Sequence, residues 1–242
     1  ITVKKAEKIS QEFKTTFAAR SLMSYLNKFE IETSYGIKAW KRWGNTAEQI
    51  IKSNPYVLCI QGVDLSFSRA DAVAAKSDIP ADSECRIKAG ITYILRQNAD
   101  QGHTCLPLDS LVKTAVSYLD VDEKLIKKVI EDETEEENLY YYDKHGRRFV
   151  MLADFYKAED YIARRLAIMR QISYDNKIDF SEVIDLEEEN NGIQYEKIQR
   201  EAINLALSKG FLVLTGGPGT GKTTTLNAII SLYQQQGLNV MI

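Results

Sequence analysis

The feature that most constrains this chain lies near its C-terminal end, where an apolar run leads into a glycine-rich loop and an amphipathic helix. Residues 211–215 read FLVLT, residues 216–223 read GGPGTGKT, and TTLNAIISLYQQQ follows. The loop matches G-x-x-x-x-G-K-[ST] at every fixed position, and the strand and helix that this motif requires are both predicted beside it. We therefore interpret the stretch as a phosphate-binding strand, loop and helix.

Each residue type in the loop has a physical reason. Glycines let the loop wind tightly, so that successive N–H groups face phosphate oxygens at the positive end of the helix dipole. We expect Lys222 to bind the β- and γ-phosphates of ATP and the Thr223 hydroxyl to be a ligand of Mg²⁺, which makes these two residues the catalytic candidates. The predicted nucleotide-binding residues are Gly216, Gly217, Pro218, Gly219, Thr220, Gly221, Lys222, Thr223 and Thr224.

The segment after the loop predicts how it packs. Leu226, Ile229, Ile230 and Tyr233 follow the i, i+3, i+4, i+7 spacing of one helix face, which we expect to pack on a sheet. LNVMI, from residue 238, is expected to begin a second strand.

Composition is that of an ordinary soluble globular protein, with 242 residues, of which 44% are hydrophobic and 27% charged. No apolar run approaches the roughly 18 residues that cross a membrane, and no signal peptide is recognisable at the N-terminus. The three cysteines, Cys59, Cys85 and Cys105, have no metal-ligand spacing. These observations predict reduced thiols, a cytoplasmic location and no membrane partner.

The charge is distributed unevenly along the chain. Residues 1–52 contain ten basic and five acidic residues, whereas residues 120–160 contain seven basic and thirteen acidic ones. The net charge of −3 is a mild argument against nucleic-acid binding. The distribution nevertheless suits one end of the chain, and not the other, to contact phosphates.

The first two hundred residues read as mainly helical, and one pattern occurs in them twice. Residues 32–58 predict a turn at Gly36 and a helix that stops at Gly44. Residues 59–79 predict a turn at 62–64 and a helix over 69–76. A small turn between short helices, in tandem, resembles the helix-hairpin-helix module, which binds nucleic-acid backbone. A plain αα-hairpin without a ligand fits the spacing equally well.

The next segment resembles a winged-helix unit. Residues 86–101 predict an amphipathic helix, two further helices follow, and NLYYYDKHGRRFVML predicts a β-hairpin around residues 144–146. The acidic run at 131–137 would repel phosphate, which favours a protein-packing scaffold over a DNA contact. Beyond this segment we predict a helix over 155–171, a polar connector over 178–191 and a helix that Gly210 ends.

Several stretches together resemble a known family. The run IQREAINLALSKGFLVLTGGPGTGKTTT resembles the Q motif and motif I of superfamily 1 DNA helicases, and LTGGPGTGKTTT resembles their RecD/TraA-type branch. Upstream, NPYVL, RADAVA, RIKAGITYIL and GHTCLP resemble the N-terminal region of stand-alone RecD-like helicases, which carries tandem helix-hairpin-helix elements. The resemblance spans roughly residues 20–240.

The resemblance implies an ATP-dependent helicase that moves 5′ to 3′ on single-stranded DNA and uses ATP and Mg²⁺. It places residues 216–223 on the phosphates, Gln199 on adenine, and Gly36 and Gly62 in the two hairpins. The second hairpin departs from the family's Gly-hydrophobic-Gly pattern, because Asp64 stands at the last position. An acid there disfavours phosphate, so we expect Lys38, Lys41, Arg42 and Arg69 to make any DNA contacts.

The predicted fold is mainly α, with the start of an α/β RecA-like domain at the end. The predicted divisions are a tandem helix-hairpin-helix region (1–85), a winged-helix-like unit with a β-hairpin (86–155), a helix and acidic connector (156–193), and the RecA-like start (194–242). We also expect the sequence to be an excised piece of a longer motor, because no acidic pair for Mg²⁺ follows the loop. Such a piece would not turn over ATP. The alternative is a non-catalytic DNA- or protein-interaction module with an incidental P-loop, and a small-molecule kinase is disfavoured.

Overall fold

The chain is mainly helical, as the pattern of its first two hundred residues predicts. The computed structural model describes residues 16–172 and 180–241. It divides into a first unit that ends at Tyr156 and a second that begins at Lys157, each with its own hydrophobic core. Among the described residues, none of the helices combines the length and apolar character needed to cross a bilayer.

From residue 16 onward, where its description starts, the first unit opens with four helices. Residues 16–27 form α1, and it is followed by α2 (Thr33–Trp43), α3 (Ala47–Ser53) and α4 (Phe67–Ala75), with single 3₁₀ turns at Gly44–Thr46 and Pro55–Cys59. Gly44 ends α2 in the left-handed region, at φ 56°, as the sequence predicts. The sequence also predicts a first helix over 5–30 from apolar residues at helical spacing, and one of these, Phe13, lies outside the described residues.

The predicted turn at Gly36 is wrong. Gly36 is buried inside α2, and a Cβ there would lie 2.5 Å from Sδ of Met23 and 3.2 Å from Cδ1 of Leu26. This glycine is therefore needed for the close approach of α1 and α2, not for a turn. The first turn instead covers residues 28–32, where Glu30 has a φ of 58°.

The second half of the first unit alternates helices with a small sheet. In order come α5 (Glu84–Asp100), β1 (Cys105–Pro107), α6 (Leu108–Leu119), α7 (Glu123–Glu135), β2 (Leu139–Lys144) and β3 (Arg147–Leu152). The strands pair antiparallel in the order β1-β3-β2, with Cys105 opposite Met151 and Tyr141 opposite Val150. The predicted β-hairpin is confirmed, and Cys105–Pro107, directly before α6, supplies a third strand.

A shared core and a half-buried ion pair join the two halves of the first unit. One apolar cluster runs from Leu22 to Leu152. Within it, the Arg86 guanidinium at the start of α5 donates to Asp71 of α4, with Nε 2.7 Å from Oδ1, and to the Leu119 carbonyl at 2.8 Å. Burial raises the pKa of Asp71, but the hydrogen bonds from Arg86 and Tyr56 outweigh it and hold that pKa below its usual range. The residues on either side of position 85 therefore contribute to one core.

The second unit contains α8 (Ala153–Gln171), which begins at the end of the first unit, α9 (Ser181–Asn191), α10 (Lys197–Ser208) and α11 (Lys222–Gln235). The predicted polar connector is wrong for its described part, because residues 181–191 form α9. That helix buries Ile184 and Glu187, at 2% and 3% exposure, against the rest of the unit. The segment has few apolar residues, so its sequence does not predict a helix. Only a narrow face of α9 is buried.

Residues 211–215, which were predicted as a buried strand, pair with no other strand in the described part of the chain. Residues 238–241 likewise belong to no strand, and Ile242 lies outside the described residues. A strand exists only where a neighbour completes its hydrogen-bond ladder, so an apolar run alone cannot produce one. Val213 is accordingly 65% exposed.

The predicted apolar face of α11 is displaced by one residue. The buried positions are Thr225, Ala228, Ile229 and Leu232. Leu226, predicted to pack on a sheet, is 45% exposed. The buried stripe belongs to a core that also contains Ile203 and Leu207 of α10. A helix partner therefore replaces the expected sheet in the described residues.

Candidate functional site: the P-loop and two acidic turns

The glycine-rich loop before α11 adopts the backbone that its glycines permit. Gly219 and Gly221 have φ values of 76° and 75°, in the left-handed region where side chains are disfavoured. Gly221 is the N-cap residue of α11, and Lys222 is the first helical residue. The unpaired N–H groups and the positive end of this 14-residue helix therefore lie next to the loop.

The Lys222 side chain folds back across the loop. Its ammonium donates to the carbonyl of Gly216 at 2.7 Å and to that of Gly217 at 2.6 Å. An ammonium held against two carbonyls within the loop is already at the place where phosphate oxygens are expected to bind. The roles of Lys222 and Gly216 in nucleotide binding stay predictions.

Threonine hydroxyls shape the loop and the first turn of α11. Thr220 donates to the Gly217 carbonyl at 2.9 Å, and Thr225 donates to that of Gly221 at 3.0 Å. Thr223, by contrast, is exposed at the helix start, so its hydroxyl is accessible to a ligand. Thr225 is 1% exposed and was not among the predicted site residues. Nothing in the sequence distinguishes Thr225 from other helical residues. The structure shows that its hydroxyl binds the Gly221 carbonyl.

Gln199 lies against this loop, although twenty-one residues separate it from Gly221. A Cβ added to Gly221 would lie 2.2 Å from Nε2 of Gln199. The Oε1 atom of Gln199 accepts from the Glu196 backbone N–H at 2.9 Å, as part of a capping box that starts α10. The capping box thus orients the amide, with one lone pair of the oxygen and the NH₂ group still able to bond a ligand.

The two turns of the helix-hairpin-helix pattern share one backbone plan. In the first turn Glu30 (φ 58°) precedes buried Ile31 and the N-cap residue Glu32 of α2. In the second, Asp64 (φ 65°) precedes buried Leu65 and Ser66, which is the N-cap residue of α4. Each turn therefore has an acidic residue in the left-handed region, then an apolar anchor and a cap. This acid-apolar-cap order, EIE and DLS, is the sequence signal that would have located the first turn.

In the second turn, the Asp64 carboxylate binds the donors that a phosphate would need. It accepts from the Gly62 backbone N–H at 3.0 Å and from the Lys38 ammonium of α2 at 3.5 Å. Lys38 also donates to the Val63 carbonyl at 3.0 Å. An internal anion thus satisfies the backbone N–H of Gly62, which the helix-hairpin-helix pattern assigns to phosphate.

Arg69 of α4 makes the reciprocal contact with the first turn. Its guanidinium donates to the Glu32 carboxylate at 2.8 and 3.1 Å and to the Glu30 carbonyl at 2.8 Å. The hydrogen bonds from Arg69 lower the pKa of Glu32. Lys38, from the helix after the first turn, therefore contacts the second turn, and Arg69, from the helix after the second turn, contacts the first.

These contacts divide the four predicted DNA-binding residues into two pairs. Lys38 and Arg69 are engaged with the acidic turns, whereas Lys41 and Arg42 lie exposed on α2. The Arg42 guanidinium stacks at 5.9 Å from the Trp43 ring centre. A DNA contact by any of the four stays a prediction.

Three acidic residues that precede the loop in the sequence, Glu133, Glu187 and Glu188, form ion pairs or hydrogen bonds with other side chains. Glu133 pairs with Lys88 at 2.8 Å in the first unit. In the second unit, Glu187 accepts from Asn191 and Gln235, and Glu188 pairs with Arg200 at 2.7 Å. Over residues 16–172 and 180–241 no cluster of three or more His, Cys, Asp or Glu side chains could hold a metal ion. Glu133, Glu187 and Glu188 are therefore bound to basic or amide side chains and not to the P-loop.

Two stretches of the chain match known protein families. Residues 15–105 match the family described as "ATP-dependent RecD2 DNA helicase HHH domain", and residues 199–242 match the "AAA domain" family. The first match contains both acidic turns, and the second contains Gln199 and the whole P-loop.

Curated relatives support the same assignment over a shorter stretch. RecBCD enzyme subunit RecD from Mycobacterium tuberculosis (strain CDC 1551 / Oshkosh) is 58% identical to this chain over 38 residues, and so is its namesake from Mycolicibacterium smegmatis. In each case the match covers 16% of this chain and 7% of the relative.

Proposed function

We propose that this chain, which belongs to the RecD-like DNA helicases, binds ATP with Mg²⁺ in its P-loop and is part of a motor that moves 5′ to 3′ on single-stranded DNA. The observation that carries the proposal is the loop itself, with left-handed Gly219 and Gly221 and with Lys222 folded across it. A cytoplasmic location stays a prediction.

In this proposal the chain's own residues hold and orient the nucleotide. Phosphate oxygens replace the carbonyls of Gly216 and Gly217 as acceptors for the Lys222 ammonium, and N–H groups at the start of α11 supply further donors. Gln199 binds the adenine edge through the amide that its capping box orients. The Thr223 hydroxyl would hold Mg²⁺, which neutralises charge on the β- and γ-phosphates when bound.

Hydrolysis needs more than these groups. Phosphoryl transfer requires carboxylates that hold the metal and orient water, together with arginines that stabilise the transferred group. Two acids of the clusters that precede the loop are already paired, Glu133 with Lys88 and Glu188 with Arg200. We therefore expect this chain alone to bind ATP without turning it over.

The test is ATP hydrolysis by the intact helicase, with and without oligothymidylate. We expect hydrolysis that depends on the oligonucleotide, together with unwinding of duplexes that carry a 5′ single-stranded tail and not of those with a 3′ tail. Hydrolysis at the same rate without DNA would contradict the proposal. Unwinding from the 3′ tail would contradict only its direction.

A second candidate function is a non-catalytic interaction module, and one observation favours it for the first unit. The Gly62 N–H and the Lys38 ammonium are already bound by Asp64. Under this alternative the first unit would not bind single-stranded DNA even at low salt, whereas backbone contacts would give binding that weakens steeply as salt rises.

A further inference from the structure

The tip of the β2–β3 hairpin places two positive charges directly opposite each other. His145 and Gly146 form the turn, with φ values of 50° and 73°, which is the pattern of a two-residue type I′ turn. The strand register pairs Lys144 with Arg147 across this turn. Like charges directly opposite on neighbouring strands are destabilising, so nothing in local stability explains this pair.

Both charges are unneutralised. Lys144 and Arg147 are exposed, and no carboxylate in the described chain lies within salt-bridge distance of either. The next pair on the same face of the hairpin is Tyr142 opposite Phe149, because successive residues of a strand alternate between faces. Tyr142 is 47% exposed. One face of the tip thus combines two free cations with an exposed aromatic ring.

The opposite face of the tip differs in chemistry. Asp143 pairs with Arg148, whose Nε and Nη2 atoms lie 3.0 and 3.2 Å from the two carboxylate oxygens. The Arg148 guanidinium also lies 4.8 Å from the Tyr141 ring centre. This cation has internal partners, so the excess positive charge belongs to the face that carries Lys144 and Arg147.

The acidic run at 131–137 does not cancel this charge. Lys88 binds two of its members, Glu133 at 2.8 Å and Glu136 at 3.4 Å. Glu137 lies near Tyr140, at the base of the hairpin. Strand residues advance about 3.3 Å each, so the tip is about 13 Å from Tyr140 along β2. That distance exceeds the Debye length of about 8 Å at physiological ionic strength, and screening therefore weakens any repulsion.

We propose that this face of the hairpin tip, which comprises Tyr142, Lys144, Arg147 and Phe149, binds single-stranded nucleic acid. The two cations contact successive backbone phosphates, and Tyr142 stacks on a base. Cations interleaved with aromatic rings are the arrangement that binds single strands without reading sequence. The inference rests on the proposed action on DNA, but it assigns the contact to the hairpin instead of the acidic turns.

The experiment measures binding of this chain to fluorescent oligothymidylate by anisotropy across a salt series. We expect the double variant K144A/R147A to bind at least about tenfold more weakly, and its log–log salt slope to fall by about 1.4, which corresponds to two phosphate contacts on a single strand. Tyr142→Ala should weaken binding about fivefold or more without changing the salt slope, and Tyr142→Phe should restore it.

Arg148→Ala is the matched control, because it removes one positive charge from the same tip but from the internally paired face. It should leave affinity and slope nearly unchanged. The thermal unfolding midpoint of K144A/R147A should equal or exceed that of the unmodified chain, since a repulsive pair is removed. This outcome would separate a binding role from a structural one.

Three results would overturn the inference: no binding by the unmodified chain at low salt, equal losses in K144A/R147A and Arg148→Ala, or equally tight binding of polyglutamate that is insensitive to Tyr142→Ala. The last would identify the tip as a site for acidic protein. Dependence of ATP hydrolysis on DNA is measured separately on the intact helicase, so either proposal can fail while the other stands.

Discussion

The P-loop and the two helix-hairpin-helix turns are similar in backbone and opposite in chemistry. All three lead into a helix through residues in the left-handed region, which exposes backbone N–H groups at a helix start. In the P-loop those residues are Gly219 and Gly221, with Lys222 next to them. In the turns they are Glu30 and Asp64. The same geometry can therefore receive an anion or already contain one.

The difference shows which groups decide whether such a turn binds phosphate. Asp64 fills the second turn with its own carboxylate, which takes the N–H of Gly62 and the ammonium of Lys38. Lys222 instead rests on neutral carbonyls, which phosphate oxygens can replace without leaving a buried charge unpaired. The Lys222 ammonium is therefore available to a phosphate ligand. The basic side chains at the two turns, Lys38 and Arg69, are instead already paired with carboxylates of the chain.

Removal of the P-loop cation should have the largest effect. We expect Lys222→Ala to weaken Mg·ATP binding by this chain about 10- to 100-fold, since a charged hydrogen-bond donor is lost, as measured by calorimetric titration. The control is Arg165→Ala, which removes an exposed cation from α8 of the same unit. Equal affinity of Lys222→Ala and the unmodified chain would mean that the loop does not bind the nucleotide.

A second test asks whether the loop backbone itself matters. Gly221→Ala should both strain a φ of 75° and press a methyl group onto Gln199, so nucleotide binding should be lost along with about 1 kcal/mol of stability. Gly237→Ala is the matched control, because it has the same φ of 75° and open space around it. It should cost similar stability and leave binding intact. Equal binding by both variants would exclude a role for the Gly221–Gln199 contact.

The third test opens an acidic turn. Asp64→Gly should free the Gly62 N–H and Lys38, and we expect affinity for oligothymidylate to rise about fivefold, because one unit charge near a phosphate is worth about 1 kcal/mol in water. Asp78→Gly is the control, since Asp78 is also exposed and left-handed, at φ 55°, but lies outside both turns. An equal gain in both variants would reflect net charge alone.

The smallest effect is expected from pH. The hydrogen bonds from Arg69 lower the pKa of Glu32 below 4.5, so the pair stabilises the fold above that pH and loses its effect as pH falls through the folded-state value. Arg69→Met should therefore lower the denaturation midpoint at neutral pH and lower it by less once Glu32 is protonated, because only the Arg69 bond to the Glu30 carbonyl is independent of pH. Lys41→Met, which removes an exposed cation of α2, should show no such pH dependence.

Local signals in the sequence were sufficient for much of this fold. The β-hairpin is specified by a turn that needs positive φ at His145 and Gly146, and the end of α2 is specified by Gly44. The P-loop is specified by a motif in which each residue type has its own physical reason. In each case the determining residues are neighbours in the chain.

The remaining features depend on distant contacts, which a single sequence does not display. Gly36 reads as a turn residue until Met23 and Leu26 are found packed against it. The sequence alone suggests that Lys38 and Arg69 are free cations, whereas in the structure each donates to a backbone carbonyl in the turn before the other one's helix. The apolar run at 211–215 reads as a strand, yet no neighbour forms its ladder in the described residues.

The most direct test of the contrast between these turns is an amide NMR titration of the ¹⁵N-labelled chain, first with Mg·ATP and then with oligothymidylate. We predict that Mg·ATP shifts the amides of residues 216–224, and that neither ligand shifts those of residues 29–32 or 61–65. Saturable shifts of the Gly62 and Val63 amides with either phosphate ligand would show that the acidic turns are open, and would contradict the account.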